Sequence, residues 1–307
     1  MNNKAQIANN LIYDNGCALH ELMEKENFSF VHGDFGNKDT IMQALVGVTD
    51  VILLAALVGD PICKKYPELA LRTNLDNPKK LIELLNGRKI QKFIFTSTCS
   101  NYGLRTNDTP AKEESELNPL STYAETKVGF EEFLLQNLDN IDFSPTILRL
   151  STAFGMSGRM RFDLTISEFT RELAIGKKLL VYDENTWRPY CNVSDISEAI
   201  LKVMQLPSEI VNGQVFNIGC DEDNYTKQMI VDLIKKYVNH ANIEYKSKGS
   251  DPRNYRVSFA KANKILDFKP FFTAEDSIQR LVSAIENKLF INIEERRNFY
   301  GNFHINV

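Results

Sequence analysis

The first half of the chain alternates short, wholly apolar runs with amphipathic stretches. Val51-Ile-Leu-Leu-Ala-Ala reads as a strand, and because it is apolar at every position it needs cover on both faces. Lys92-Phe-Ile-Phe-Thr-Ser and Pro145-Thr-Ile-Leu-Arg-Leu read as two more strands. Between them the spacing predicts a helix that begins near Pro67 and ends over 78–85, and a second helix over 122–138. Strands that alternate with helices imply an α/β fold with a doubly wound parallel sheet. Right-handed crossovers then bring the working groups to the carboxyl ends of the strands.

After about residue 155 the pattern changes. A helix is predicted over 164–175, stopped by Gly176 as a C-cap, and then a strand over 179–182. Helices are expected over 194–204 and 227–238, with Asn224 and Thr226 supplying cap chemistry for the latter. A last long helix over 273–289 has Ile278, Leu281, Val282 and Ile285 on one face. The final 18 residues, rich in Asn, Arg and aromatics, predict no element. With no repeat, low-complexity tract or linker, the expectation is two interleaved lobes. Residues 1–155 make the first, 156–307 mainly the second, and 187–218 return to the first.

Composition narrows the partners. The 307 residues are 43% hydrophobic and 25% charged, with a formal net charge of −4 that offers no basic surplus for nucleic acid or anionic lipid. The longest clean apolar run, Val51 to Val58, is too short to span a bilayer, and Met1-Asn-Asn-Lys4 is no signal segment. Five widely spaced cysteines (Cys17, Cys63, Cys99, Cys191, Cys220) fit neither a disulfide ladder nor a metal knuckle, so a reducing cytoplasm is the simplest setting. The four histidines (His20, His32, His240, His304) are scattered, and no metal site is expected.

The chemistry-bearing motif is Ser121-Thr-Tyr-Ala-Glu-Thr-Lys127. Tyr123 and Lys127 are i and i+4 near a helix start and so share a face. An ammonium beside a phenol favours the phenolate and lets it serve as a base. Taken alone the spacing is common by chance. Upstream, however, the strand Phe93-Ile-Phe-Thr-Ser runs into a hydroxyl-rich turn closed by Tyr102-Gly103, with Thr98 just past its end. The Thr98 hydroxyl is placed to donate to a substrate oxygen that Tyr123 deprotonates. A Ser/Thr turn that merely satisfies its own backbone is the alternative.

These motifs, in this order, resemble the extended short-chain dehydrogenase/reductase family, the nucleotide-sugar epimerases and dehydratases. The resemblance takes in Gly33-Asp34-Phe35, Leu54-Ala55-Ala56, Asn74, Thr98, Tyr123-x-x-x-Lys127, Leu148-Arg-Leu-Ser-Thr-Ala-Phe-Gly155, Arg188-Pro-Tyr-Cys-Asn-Val-Ser-Asp195 and Phe216-Asn-Ile-Gly219. It implies a Rossmann-like NAD(P)-binding lobe over 1–155 and a substrate lobe beyond it. Tyr123 would be the base toward the sugar hydroxyl at C4, Lys127 would tune it and hold the nicotinamide ribose, and Thr98 would bond the same sugar oxygen. Asp34 and Phe35 would contact adenine. Leu54, Ala55, Ala56, Asn74, Thr96 and Leu150 would line the cofactor channel, and Thr152 the substrate side. Arg188, and more weakly Arg253, are candidates for the sugar-nucleotide diphosphate, since a guanidinium suits paired phosphate oxygens. For both, a surface ion pair is the alternative. The helices carrying Asn74 and Tyr123 imply a homodimer seam.

Absences select the reaction. The family's 4,6-dehydratases follow the Thr with an Asp-Glu pair, and its decarboxylases place a Glu two residues after it; here Cys99 and Ser100 stand there. Cys99 lies three residues before Tyr102, not the two of the 3,5-epimerases, and is expected to be a packed core residue. What remains is NAD-dependent hydride transfer at C4, by a 4-epimerase or a 4-oxidoreductase. Gly158-Arg-Met-Arg-Phe-Asp-Leu164 and Trp187-Arg-Pro-Tyr190 resemble a bacterial subgroup of surface-polysaccharide and deoxysugar or heptose pathways.

One part of the family pattern is not found. No Gly-x-x-Gly-x-x-Gly turn follows a strand before residue 51, although Gly16 and Gly33 stand singly. Gln6-Ile-Ala-Asn-Asn-Leu-Ile-Tyr-Asp14 resembles the family's second strand, with Asn9 where an acid for the adenosine ribose is common. The expectation is a sheet short of its central first strand, from an internal start or a truncated or rearranged chain. Weak or absent NAD binding follows, with a non-catalytic nucleotide-sugar-binding partner as the alternative function.

Overall fold

The computed structural model describes every residue except 1–3, 14–15, 107–108, 248, 250 and 306–307. Asp14 and Met1 to Asn3, which figure in the expectations above, lie outside the described residues.

Four parallel strands form the main sheet: β3 (Asp50–Leu53), β4 (Lys92–Thr98), β5 (Ser144–Leu150) and β9 (Gln214–Ile218), in that order. Every residue of β4 is buried, the apolar Phe93-Ile94-Phe95 and the polar Lys92, Thr96, Ser97 and Thr98 alike, as in a sheet covered on both faces. Phe93 and Phe95 of β4 meet Phe130 of the Thr122–Gln136 helix, the Phe95–Phe130 pair at 4.7 Å and edge-on. Lys92 opens β4, and its ammonium donates to the carbonyls of Val203, Met204 and Leu206 at the end of the Val193–Gln205 helix. A cation placed there satisfies carbonyls that the helix leaves unpaired and complements its dipole.

A separate parallel pair, β1 (Ala5–Asn9) and β2 (Phe28–His32), stands outside this sheet. β1 pairs only with β2, and β3 only with β4. Both therefore carry an edge without a ladder partner among the described residues. Ile52 and Leu54, at the β3 edge, are 37% and 60% exposed. The Lys38–Ala44 helix packs on β1 and β2 while its Ile41 joins the core of the main sheet, so the pair is docked rather than free.

The second lobe holds β6 (Thr152–Phe154), β8 (Trp187–Asn192) and β10 (Asn224–Thr226) in one small sheet, with β8 central. β7 (Leu179–Tyr182) and β11 (Ile243–Lys246) form another. Within the segment 187–218, Trp187–Asn192 pairs in the first of these small sheets, and the Val193–Gln205 helix that follows packs on the main sheet. Its Ile196, Ile200 and Val203 pack with Ile94, Leu148 and Phe216 of the main sheet.

Other differences have local causes. The predicted helix from Pro67 to Leu85 is continuous but contains one wide π turn, Arg72–Asp76, that bulges around Asn74. Thr226 caps the Lys227–Lys235 helix through Met229 N–H, but Asn224 does not. Its amide instead exchanges two bonds with the Val257 backbone and donates to the Asp221 carbonyl, pinning the 251–259 segment. Gly176, at φ +75, ends the Thr165–Ala174 helix as expected. No helix among the described residues is long and apolar enough to cross a membrane.

One buried ion pair joins the site-bearing elements. Arg149 of β5 and Glu131 of the Thr122–Gln136 helix meet at 2.7 Å with side chains 5% and 2% exposed. Arg149 also donates to the Tyr102 hydroxyl and the Glu113 carbonyl, and Asn101 donates to Glu131. Tyr102 in turn donates to Asn217 of β9. Removing one charge from such a pair strands the other in the interior. Glu131→Gln is expected to cost about 3–5 kcal/mol of unfolding free energy in urea titration. A loss below about 1 kcal/mol would show that the pair does not hold these elements together.

Candidate active site

Thr98 is the last residue of β4, where the strand passes into a single turn, Cys99–Tyr102. Its hydroxyl oxygen accepts from Ser100 N–H at 3.1 Å, which fixes the side chain and leaves the hydroxyl proton free to donate. The backbone-satisfying and substrate-facing readings of Thr98 are thus compatible. Cys99 is 1% exposed and its thiol donates to the Arg149 carbonyl, so it is the packed residue that was expected.

The helix carrying Tyr123 and Lys127 begins at Ser121, whose side chain accepts from Ala124 N–H. One turn in, Lys127 is 2% exposed and its ammonium donates to the Thr96 carbonyl at 2.8 Å. That bond draws the helix onto the carboxyl end of β4, two residues from Thr98. Thr96 itself spends its hydroxyl on the Leu53 carbonyl, locking β4 to β3. Leu150 lies directly opposite Thr98 in the β4–β5 register.

The electrostatics differ from the expectation. Lys127 was to pull the Tyr123 phenol down, but here burial pushes the phenol up, and Cys63 and Asp60 beside it push the same way. Arg161 and Arg253 oppose them without prevailing. The Lys127 ammonium sits 5.9 Å from the Tyr123 ring centre, nearer the Phe95 ring at 4.6 Å, and burial lowers its own pKa to about 8. An ammonium held on a carbonyl and half-inclined to lose its proton does little to stabilise a phenolate. Tyr123 also packs against a cluster of Leu57, Ile62, Cys63, Ala70 and Ile305, with Ile12 and Tyr13 on the same cluster. Ile305 comes from the far end of the chain. That segment is strapped down by Arg159, which donates to Asn302 and to the Asn298 and Gly301 carbonyls.

The remaining candidates fall into three groups. Asn74 does not line an open channel: it is 1% exposed and bonds both the N–H and the C=O of Leu57, bracing the 54–58 loop against the Tyr123 helix through Thr126. Ala55 and Ala56 are half-buried on that loop, and Leu54 is exposed. Asn9 turns its carboxamide oxygen onto Leu11 N–H, while Asp34 accepts from Asn10 and Gly36 N–H, next to Phe35, at the end of β2. Thr152 stands half-buried in β6 opposite Tyr190.

The two arginines converge, and neither is a simple surface pair. Arg188 is 6% exposed and donates to Asp251 and to the Arg253 carbonyl. Arg253 grips Asp251 with two bonds, 2.7 and 2.8 Å, donates to Ser100 Oγ, and pairs with Asp60 at 2.8 Å. Burial works against Asp251, yet the Arg253 hydrogen bonds and the two guanidinium charges hold its carboxyl well below the usual range. Asp60 and Ser121 were missed in the sequence. Gly59-Asp60-Pro61 signals only a helix start there, whereas in space Ser121 donates to Asp60 at 2.6 Å.

A parallel α/β sheet with a hydroxyl turn and a Tyr-x-x-x-Lys helix at its carboxyl end defines the class of a Rossmann-type oxidoreductase or isomerase. Residues 5–219 match the NAD dependent epimerase/dehydratase family, and the chain belongs to it. It is 26% identical to a UDP-glucuronate 4-epimerase of Thermodesulfobacterium geofontis over 86% of this chain and 81% of that one. It is 25% identical to an uncharacterised UDP-glucose epimerase of Bacillus subtilis over 88% and 84%. Among solved structures it resembles a UDP-glucuronic acid 4-epimerase from Bacillus cereus, in complex with UDP-glucuronic acid and NAD (TM-score 0.83, 22% identity, 94% and 92% covered). A dTDP-glucose 4,6-dehydratase from Bacillus anthracis, in complex with NAD, is similar (TM-score 0.82, 24% identity, 96% and 91% covered). At these identities the two structures establish the fold.

The family is NAD-dependent, and the residues present suit part of that cofactor. Thr98 ends β4, and Lys127, one turn after Tyr123, is bonded to Thr96 two residues before it. No glycine-rich turn joins a strand to a helix among the described residues, so the amide cradle for a pyrophosphate is not among them, and the β1 and β3 edges beside its place are unpaired.

The state of Lys127 is measurable. Between about pH 8 and 10.5 the unfolded chain holds a proton at this lysine that the folded one does not, so this group makes stability rise with pH across that window. Lys127→Met removes the rise. The change in urea midpoint from pH 7.5 to 9.5 is expected to be shifted toward loss in the variant relative to the parent, because the buried cysteines, whose thiols burial pushes up, lower stability over the same window; parallel pH profiles would refute it.

Proposed function

We propose that the chain acts on a nucleotide-diphosphate sugar at the C4 carbon, as a 4-epimerase or 4-oxidoreductase of surface-polysaccharide or deoxysugar/heptose biosynthesis. What supports this reading is Thr98 at the carboxyl end of β4, Lys127 bonded to Thr96 two residues before it, Tyr123 one turn earlier on the same helix, and Cys99 and Ser100 where a dehydratase would need proton-transferring acids. Thr98 donates to the C4 oxygen, and Tyr123 exchanges the proton of that hydroxyl. The nicotinamide of a bound NAD would supply hydride acceptance. Relatives named as UDP-glucuronate and UDP-glucose epimerases support the substrate class. A homodimer through the helices of Asn74 and Tyr123, in the cytoplasm, completes the reading.

A second reading, a non-catalytic nucleotide-sugar-binding partner, is favoured by the unpaired β1 and β3 edges and by the crowding of Tyr123 with Ile305. Calorimetric titration with NAD and NADH separates the two. Submicromolar binding supports the enzyme, and no binding up to millimolar supports the partner. In an active chain, Tyr123→Phe is expected to lower turnover about 10²–10⁴-fold with little change in KM. Unchanged turnover would remove Tyr123 from the role of base.

A further inference from the structure

Arg253 is the contact between the two lobes at the candidate site. Its guanidinium reaches Asp251 in its own segment, Ser100 two residues after Thr98, and Asp60 across the cleft. Asp60 is bound on its other oxygen by Ser121, two residues before Tyr123, and Ser121 caps the Tyr123 helix. A single carboxylate thus ties the start of the catalytic helix to a cationic group of the opposite lobe. The pair is only partly shielded: the Arg253 side chain is 19% exposed and that of Asp60 is 29% exposed.

Resting on the nucleotide-sugar reading, we propose that Asp60 is an internal stand-in for a phosphate group, a latch that occupies Arg253 until the diphosphate of a ligand displaces it. Asp251 takes the Nε and Nη2 donors of Arg253, and Asp60 and Ser100 meet its two Nη groups on the cleft side, where a phosphate oxygen can replace the Asp60 carboxylate with more charge. Arg188 cannot serve in its place without rearrangement, because its donors are committed to Asp251 and to the Trp187 and Arg253 carbonyls. Asp251 lies beside Arg253 in sequence and grips it with two bonds, so it moves with the arginine. Asp60 belongs to the other lobe through the Asp60–Lys65 helix and is the partner that yields. Displacement frees the Asp60 oxygen that faces Arg253 while the other stays bonded to Ser121, so a shift of Asp60 is felt at the N-cap of the Tyr123 helix.

The test is calorimetric titration of UDP, and separately of inorganic pyrophosphate, without NAD. Asp60→Asn keeps the shape and the Ser121 bond but weakens the competitor, and is expected to tighten UDP binding roughly tenfold. Arg253→Gln is expected to weaken it at least as much. Asp139→Asn, the same charge change at an exposed position at the far end of the Tyr123 helix, is expected to change nothing. Equal or weaker UDP binding in Asp60→Asn overturns the latch. So does an Asp139→Asn gain equal to that of Asp60→Asn, which would make the effect one of net charge, or absence of UDP binding in both parent and Asp60→Asn. The nucleotide-sugar reading fails separately, through an Arg253→Gln variant that binds UDP as the parent does while Asp60→Asn binds no tighter.

Discussion

The Arg149–Glu131 pair is the constraint on which the site depends. Two full charges buried at 5% and 2% exposure are tolerated only if every lone pair and donor finds a partner. Meeting that demand recruits Tyr102, Asn101, the Glu113 carbonyl and, through Tyr102, Asn217. The result is that β5, β9, the turn after Thr98 and the Tyr123 helix cannot shift independently. Thr98 is tied into that network through its turn, and Lys127, bonded to Thr96, through the helix that carries Glu131. A polar network of this kind contributes more to positioning than to stability, since well-packed apolar residues would stabilise the interior as well or better.

The same burial that makes the network rigid sets the protonation of the site. Tyr123 and Lys127 are both driven toward their neutral forms, the phenol upward and the ammonium downward to about 8. Near neutral pH the Tyr123 phenol keeps its proton and Lys127 is still mostly charged, losing its proton only as the pH passes about 8. A cation brought close to the phenol would reverse the balance, because desolvation penalises an isolated charge far more than a paired one. Asp60 works the other way. Its carboxylate raises the phenol further for as long as it stays in place, so the latch on Arg253 and the readiness of Tyr123 are coupled by ordinary electrostatics.

The apolar pattern was enough to place the β4 and β5 strands and the Tyr123 helix, because the buried cores Phe93-Ile94-Phe95 and Ile147-Leu148 are apolar in sequence as well. Motif spacing singled out Thr98, Tyr123 and Lys127, and Lys127 bonds Thr96 in the strand that Thr98 ends. What the pattern could not show is where polar groups find their partners. Asn74 looked like a channel residue and is a brace for Leu57, Asn224 looked like a cap and pins Val257, and Arg188 and Arg253 share Asp251. Asp60, Ser121, Glu131 and Arg149 left no signal, since their roles arise between residues 18 to 193 positions apart. The π turn at Arg72–Asp76 was equally invisible: only a packed neighbour, the Leu57 backbone, gives Asn74 a reason to sit there.

The unpaired edges of β1 and β3 separate two parts of the molecule. The part that carries Thr98 is assembled from β4, β5 and the Tyr123 helix, and the buried ion pair joins the last two. The β1–β2 pair is a ladder of its own, closed by Asn10 on Asp34 and supported by the Lys38–Ala44 helix. A strand edge without a ladder partner keeps a row of N–H and C=O groups open to pairing. What holds the two parts together among the described residues is therefore side-chain packing, through Ile41 of that helix in the core of the main sheet, and not a shared ladder.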